Sequence, residues 1–137
     1  MRNTSHLGDI AKAAVLAALL RRGYAILTPF GDSVRYDLVI DTGFEFQAVQ
    51  CKHVRLRKGV LHVPCHSVDS RHKSGKTVLR AYDSRIIFYG LYCPDTGRCY
   101  LLPASEMRGR HYINLRVEKS HGRGGPQRHW AEEFALN

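Results

Sequence analysis

The order of periodic segments along the chain limits the fold more than any other feature of this sequence. Residues 5–22 are apolar around most of the helical turn and end before Gly23, which predicts a largely buried N-terminal helix. Segments rich in β-branched and aromatic residues follow and predict strands. These segments are 24–30, 36–41, 44–54, 60–65, 86–93, 99–102 and 112–117. With a short closing helix expected at 130–136, the order predicts an α/β (α+β) core around a mixed central sheet.

The 137 residues predict a single domain spanning 1–137, with one hydrophobic core. Within it, residues 66–80 are expected to form an exposed loop. The basic, Gly-rich segment at about 118–129 is expected to be flexible or ordered by a ligand. No apolar run approaches the roughly 18 residues of a membrane span, and the N-terminal segment lacks the charge order of a signal peptide. We therefore expect an intracellular protein of the cytoplasm or nucleoid, not secreted and without a membrane partner.

An excess of positive charge indicates a polyanionic partner. Lysine and arginine number 21 against 12 acidic residues, which gives a formal net charge of +9. Each phosphate that such a surface neutralises releases condensed counterions, so DNA is the expected partner, with RNA as the second option. A basic surface without a ligand is the alternative. The candidate phosphate contacts are Lys12, Arg35, Arg55, Arg57, Lys58, Arg71, Lys73, Lys76 and Arg80. A further basic cluster lies between 108 and 128.

The four cysteines are expected to be buried structural thiols. Cys93 and Cys99 flank the turn at 94–97, so they are expected to lie across a hairpin from each other. Their spacing of five intervening residues is not usual for a zinc knuckle, and nothing else indicates an oxidising compartment.

One group of residues could carry chemistry. Gln50 and Lys52 are two apart on the segment 44–54 and therefore share a face. Asp37 begins the preceding strand, so an antiparallel hairpin brings it near Lys52 at the open end. Phosphodiester hydrolysis requires a hard divalent cation, an activated water and charge neutralisation. Asp37 suits Mg²⁺, or Mn²⁺ in its place, while Gln50 can add an amide oxygen and Lys52 can stabilise negative charge. The alternative is a strand-end aspartate beside a solvated lysine.

Several segments together resemble a known family. They are Gly8-Asp9-Ile10-Ala11-Lys12 continuing to Tyr24, Pro29-Phe30-Gly31-Asp32, Arg35 to Asp41, Val49-Gln50-Cys51-Lys52, Tyr92 to Gly97 and Trp130-Ala131-Glu132-Glu133. The chain resembles the PD-(D/E)XK endonucleases associated with group I introns, the homing endonuclease branch, and more distantly the Holliday-junction resolvases. The resemblance implies a restriction-endonuclease-like fold, Mg²⁺-dependent cleavage of double-stranded DNA, and a homodimer or homotetramer.

The resemblance also implies site residues. Asp37 matches the metal-binding aspartate of the family and Lys52 its catalytic lysine. Gln50 matches a position that is acidic or glutamine in the family, where it assists the metal.

The sequence departs from the family at two positions expected to be acidic. Lys12 stands where the first helix should carry a glutamate, and Arg85 stands before the strand at 86–93. Asp9, one turn earlier on the same helix face, is then the candidate auxiliary acid. A site with fewer carboxylates binds Mg²⁺ more weakly, whereas Lys12 attracts phosphate.

Three functions therefore stay open at this point. The first is a metal-dependent DNA endonuclease. The second is a catalytically weakened or inactive descendant that binds DNA or structured RNA. The third is a protein-interaction subunit of a larger complex.

Overall fold

A computed structural model shows one N-terminal helix and two main β-sheets packed in three layers. It describes residues 4–65, 67–69, 78–80, 85–107, 109–118 and 129–137. Helix α1 (Thr4–Arg21) ends before Gly23, whose φ of 90° belongs to the left-handed region that favours glycine at a helix end. The buried side of α1 consists of Ala11, Val15, Ala18 and Leu19. The predicted N-terminal helix is therefore confirmed. In the part of the chain that the structure describes, no helix is long and apolar enough to span a membrane.

Eleven strands in the described residues form three sheets. The strands are β1 (Ala25–Leu27), β2 (Leu38–Asp41), β3 (Phe46–His53), β4 (Leu56–Arg57), β5 (Val60–Pro64), β6 (Ser67–Asp69), β7 (Val78–Arg80), β8 (Ile86–Cys93), β9 (Arg98–Pro103), β10 (Tyr112–Arg116) and β11 (His129–Trp130). The first sheet has the order β1-β2-β3-β8-β9, and the second has the order β11-β10-β5-β4. Strands β6 and β7 pair with each other. Because β3 and β8 are parallel while their neighbours are antiparallel, the predicted mixed central sheet is confirmed.

The first sheet is covered on both faces. On one face, Val15 and Leu19 of α1 pack in a buried cluster with side chains of β2 and β3, including Ile40 and Val49. On the other face, a second cluster joins β8 and β9 to the buried side of the second sheet; it includes Leu91, Leu102, Leu61 and Leu115. The layers are therefore helix, first sheet and second sheet, held by two apolar cores.

The structure corrects three of the sequence predictions. The first predicted strand is only Ala25–Leu27, and Asp37 precedes β2 instead of lying within it. Part of the loop expected at 66–80 is the β6–β7 pair, because Ser67–Asp69 finds backbone partners in Val78–Arg80.

The closing helix expected at 130–136 is present in a shorter form. Trp130 belongs to β11, and the 3₁₀ helix Ala131–Phe134 follows it. Trp130 pairs with Arg116 of β10, and the Leu136 N–H donates to the Cys99 carbonyl at 2.9 Å. These long-range partners engage backbone that a helix would use internally.

The four cysteines are free thiols. Cys65, Cys93 and Cys99 are buried, as the sequence predicts, whereas Cys51 is only half-buried. Cys93 and Cys99 do flank the β8–β9 hairpin, but they belong to different apolar clusters on opposite faces of the sheet. The first sheet therefore lies between the two sulfur atoms.

The contact between α1 and β8 gives a stability prediction. A Cβ added to Gly90 would lie 2.7 Å from Cγ1 of Val15, so Gly90→Ala is expected to lower the free energy of unfolding by about 1–3 kcal/mol. Gly8→Ala is the matched control, because Gly8 is on α1 with no atom near the added methyl group, and we expect a gain of up to about 1 kcal/mol. Urea unfolding measures both. Equal stability of Gly90→Ala and the wild type would contradict this packing.

Candidate active site

Backbone hydrogen bonds fix Asp37 at the end of the first sheet. The Asp37 N–H donates to the Val49 carbonyl at 2.8 Å, and its Oδ2 accepts the Cys51 N–H at 2.7 Å. The side chain is only 20% exposed. The carboxylate of Asp37 is therefore held against β3 by main-chain groups, independently of any flexible side chain.

Strand β3 brings Gln50 and Lys52 to the same region. The β2–β3 register pairs Leu38 with Val49, so Asp37 lies beside the Gln50–Lys52 end of β3. Lys52 points to the face of the first sheet that meets the second sheet, where its Nζ lies 5.2 Å from the centroid of the Tyr89 ring. Gln50 shares this face by strand alternation and pairs with Tyr89 in the β3–β8 register. The hairpin predicted from the sequence therefore places Asp37 beside the end of β3 that carries Gln50 and Lys52.

Lys12 of α1 lies between two carboxylates. Its Nζ is 3.6 Å from Oδ1 of Asp37 and 3.8 Å from Oδ1 of Asp9. Lys12 and Asp9 are 48% and 75% exposed, so both side chains remain accessible to water. The three residues line one side of an open cleft of about 380 Å³, whose other side is formed by the segment from Thr28 to Asp32 and by Val34 and Tyr36.

Burial dominates the ionisation of the site. It raises the pKa of Asp37 above its ordinary value, although the Cys51 N–H and the positive charges of Lys12 and Lys52 oppose the shift. Burial also lowers the pKa of Lys52, an effect that the Cys65 thiol and Asp37 oppose and Arg35 reinforces. The site therefore holds a carboxylate and an amine whose charged forms are both less favoured than in water.

The donors present are oxygen atoms. Among the described residues, no three His, Cys, Asp or Glu side chains converge as a metal cluster. Asp37 and Gln50 supply a carboxylate and an amide, the ligands that a hard divalent cation such as Mg²⁺ accepts. These donors fit such an ion, whereas the positive charge of Lys12, 3.6 Å from Oδ1 of Asp37, opposes its binding.

The predicted phosphate contacts lie in different surroundings. Arg35 is half-buried and acts electrostatically on Lys52, while Arg57 and Lys58 are exposed at β4 and the turn after it. Arg55 is engaged with Asp95, with Nε to Oδ2 at 2.8 Å and Nη2 to Oδ1 at 3.0 Å. Arg71, Lys73 and Lys76, and most of the basic segment at 118–129, lie outside the described residues. Arg80 lies on β7, where the structure describes its backbone and not its side chain.

Two partners in and near the site were not found from the sequence. Asp95 accepts from the Leu56 N–H as well as from Arg55, and these hydrogen bonds hold the pKa of Asp95 at about 2. Tyr89 lies under Lys52. Neither has a local signal, because the contacts join residues about 40 positions apart. The sequence places Tyr89 on the strand predicted at 86–93, but it does not predict that this strand pairs with β3.

A helix packed on a mixed sheet, with an aspartate before one strand and Gln-x-Lys on the next, defines the restriction-endonuclease-like class of fold. The family model described as PD-(D/E)XK endonuclease matches residues 2–137, and the chain belongs to this family. Among solved structures, the bacterial homing endonuclease I-Ssp6803I is similar, with a TM-score of 0.76 and 24% identity over 98% of this chain and 89% of that chain. This similarity shows the fold. No curated protein matches the chain.

Proposed function

We propose that the protein is a metal-dependent DNA endonuclease that hydrolyses phosphodiester bonds. The observation that carries this proposal is the Asp37 carboxylate, fixed by the Cys51 N–H at 2.7 Å beside the Gln50–Lys52 end of β3. Membership of the PD-(D/E)XK endonuclease family supports a nuclease, and nucleases of this family generally use divalent metal ions. The choice of ion, the role of each residue and the DNA substrate are parts of the proposal.

Asp37 and Gln50 are the proposed ligands of Mg²⁺, for which Mn²⁺ can substitute. When bound, such an ion polarises the phosphate and lowers the pKa of a bound water. Asp37 is suited to this role because its position does not depend on another side chain. Gln50 supplies an amide oxygen from the part of β3 that lies beside Asp37.

Lys52 is the proposed catalytic lysine. Partial burial raises the electrostatic strength of its ammonium group toward a phosphate that gains negative charge. The lowered pKa also brings its proton closer to the range in which a proton can be transferred. We assign it charge stabilisation and the holding of a proton at Nζ near the scissile bond.

Asp9 and Lys12 modify the site. We retain Asp9 as the proposed auxiliary acid, although its nearest charged neighbour in the structure is Lys12. Lys12 neutralises part of the charge that would otherwise attract a divalent cation. The same ammonium group is a proposed phosphate contact, together with Arg35, Arg57 and Lys58.

The Lys12–Asp37 contact favours a second candidate function, a binding module for DNA or structured RNA that has lost cleavage. An ammonium group at 3.6 Å already gives Asp37 a cationic partner. Under this alternative, the protein binds nucleic acid equally well with and without a divalent cation.

We further propose that residues 1–137 act as one domain inside the cell, as a homodimer or homotetramer. Sedimentation of the purified protein measures the oligomeric state.

Removal of metal is expected to stop cleavage reversibly. An end-labelled DNA duplex and a matched RNA duplex would be incubated with the protein in Mg²⁺, in Mn²⁺ and in EDTA. We expect DNA products with either metal, none in EDTA, and recovery when metal is restored, because the water requires activation. Cleavage that persists in EDTA would contradict the proposal. Binding of DNA without products in either metal would favour the second candidate.

A further inference from the structure

The outer face of the second sheet is polar and open to solvent. Along β10, Ile113 and Leu115 are buried in the core, whereas Tyr112 and Asn114 are exposed. On β5, His62 is exposed between the buried Leu61 and Val63. This alternation separates an apolar inner face from an outer face that nothing in the described residues buries to the same extent.

The chemistry of this outer face suits a polyanion. Strands β4, β5 and β10 contain no acidic residue, and alternate positions from Arg110 to Arg116 carry arginine, tyrosine, asparagine and arginine. A shallow cleft of about 320 Å³ lies over these side chains, and His129 also lines it. Two acidic residues adjoin this face: the Glu118 N–H donates to the Gly59 carbonyl, and Oε2 of Glu106 lies 3.7 Å from Nε2 of His129.

Two of the polar side chains are ordered before any ligand binds. Nδ1 of His62 and Oδ1 of Asn114 are 3.0 Å apart, and the two residues are direct partners in the β5–β10 register. The rings of His62 and Tyr112 are 4.5 Å apart between centroids. Preorganisation of this kind lowers the entropy that a polar contact loses on binding.

The shape of the sheet matches a duplex groove. Among the residues that the structure describes, β5 and β10 alone are paired at the Tyr112–Pro64 end, whereas β4 and β11 add a strand on each side at the Arg116–Val60 end. A two-stranded β ribbon fits the major groove of B-DNA, which is about 12 Å wide. The narrow end can therefore enter the groove while the wider, basic end meets the phosphates.

A short segment of chain also connects this face to Lys52. Arg57 of β4 follows Lys52 of β3 by five residues, a distance of at most about 18 Å along an extended chain. Arg57 pairs with Val60, which pairs with Arg116, so the basic end of the face is the end nearer Lys52 along the chain.

We propose that this face reads double-stranded DNA in the major groove. The choice of DNA as its ligand rests on the proposed function. His62, Tyr112 and Asn114 contact base edges, and the arginines contact phosphates. The surface, termed here the outer β-face, consists of Arg57, His62, Arg110, Tyr112, Asn114 and Arg116.

The test measures binding in EDTA, so that cleavage does not contribute. Fluorescence anisotropy with a labelled duplex would be recorded over a range of salt concentrations for the wild type and for Arg57→Gln/Arg116→Gln. The slope of log K against log salt is negative, and each lost phosphate contact is expected to reduce its magnitude by about 0.9. Arg21→Gln, at the end of α1 in the opposite layer, removes one positive charge, as Arg57→Gln alone does, and is expected to keep the wild-type slope.

A second variant tests base reading. In selection from a randomised duplex library, Asn114→Ala is expected to lose preference at one or more positions that the wild type enriches, while its affinity for bulk DNA stays within about threefold. Thermal unfolding confirms that the variants are folded, and Arg57→Gln alone replaces the double variant if Arg116 is needed for folding.

The outcomes separate the two proposals. A double variant that keeps the wild-type slope and affinity, in a protein that binds and cleaves DNA, overturns the outer β-face but leaves the endonuclease intact. A wild-type protein that binds no duplex DNA, or only RNA, overturns both. A slope whose magnitude falls in the double variant, but not in Arg21→Gln, supports the outer β-face even if no cleavage is found.

Discussion

Asp37→Asn is expected to abolish DNA cleavage while raising the free energy of unfolding at pH 7. The amide has no charge to hold a divalent cation, and because loss of even an indirect metal contact often costs 10–100-fold, we expect a fall of roughly 100-fold or more. The asparagine Oδ1 can still accept the Cys51 N–H that fixes the side chain at 2.7 Å in the wild type. The fold is therefore expected to survive.

The gain in stability follows from the raised pKa of Asp37. Burial makes the folded protein bind this proton more tightly than the unfolded chain does. The ionised carboxylate therefore opposes folding at pH 7, and this penalty disappears as pH falls through the raised pKa toward the ordinary value of 3.8. The difference between Asp37→Asn and the wild type should be largest at neutral pH and should shrink as pH falls.

Urea unfolding between pH 7 and pH 4 measures this difference, and a plasmid assay measures cleavage. Asp9→Asn is the matched control, because its carboxylate is 75% exposed and its removal should leave stability nearly unchanged. Cleavage by Asp37→Asn at the wild-type rate would show that this carboxylate is outside the chemistry. Lower stability of Asp37→Asn at every pH would show that the ionised form supports the fold.

Lys12→Glu is expected to raise the affinity for Mn²⁺ by about tenfold or more. The change removes a positive charge 3.6 Å from Oδ1 of Asp37 and puts a carboxylate in its place, beside Asp37 and Asp9. One unit charge at about 4 Å contributes about 1 kcal/mol in water and about 4 kcal/mol at an effective dielectric of 20. Because Lys12 is 48% exposed, we expect a value toward the lower limit.

Lys12→Gln isolates the loss of positive charge from the gain of a carboxylate. In calorimetric titrations, the affinity for Mn²⁺ is expected to rise from the wild type to Lys12→Gln and to rise again to Lys12→Glu. We expect the cleavage rate at limiting metal to follow the same order. Equal affinity of all three proteins would place the bound ion away from Lys12, and an affinity that falls in Lys12→Glu would contradict the account of the cleft.

Local patterns were enough to predict the part of the site that lies on one hairpin. Residues two apart on a strand share a face, and an antiparallel turn at 41–43 brings a residue before β2 beside the end of β3. From these two facts it follows that Asp37 lies beside the end of β3 that carries Gln50 and Lys52. The N-terminal helix followed equally directly from its apolar length and from Gly23.

Contacts between distant segments were not predictable in the same way. Lys12 reaches Asp37 only because α1 packs on the first sheet in one orientation, and Arg55 meets Asp95 only because β8 lies parallel to β3. The second sheet likewise depends on the pairing of β5 with β10. At 130–136 the expected helix is limited to the 3₁₀ helix Ala131–Phe134, because strand pairing and long-range hydrogen bonds engage the backbone on either side of it.

The most direct test of the central claim is the cleavage of supercoiled plasmid DNA by the wild type and by Asp37→Asn, purified side by side and assayed in Mn²⁺ at pH 7. The account predicts that the wild type converts the plasmid to nicked or linear forms and that Asp37→Asn leaves it supercoiled. Intact plasmid with both proteins, or equal cleavage by both, would contradict it.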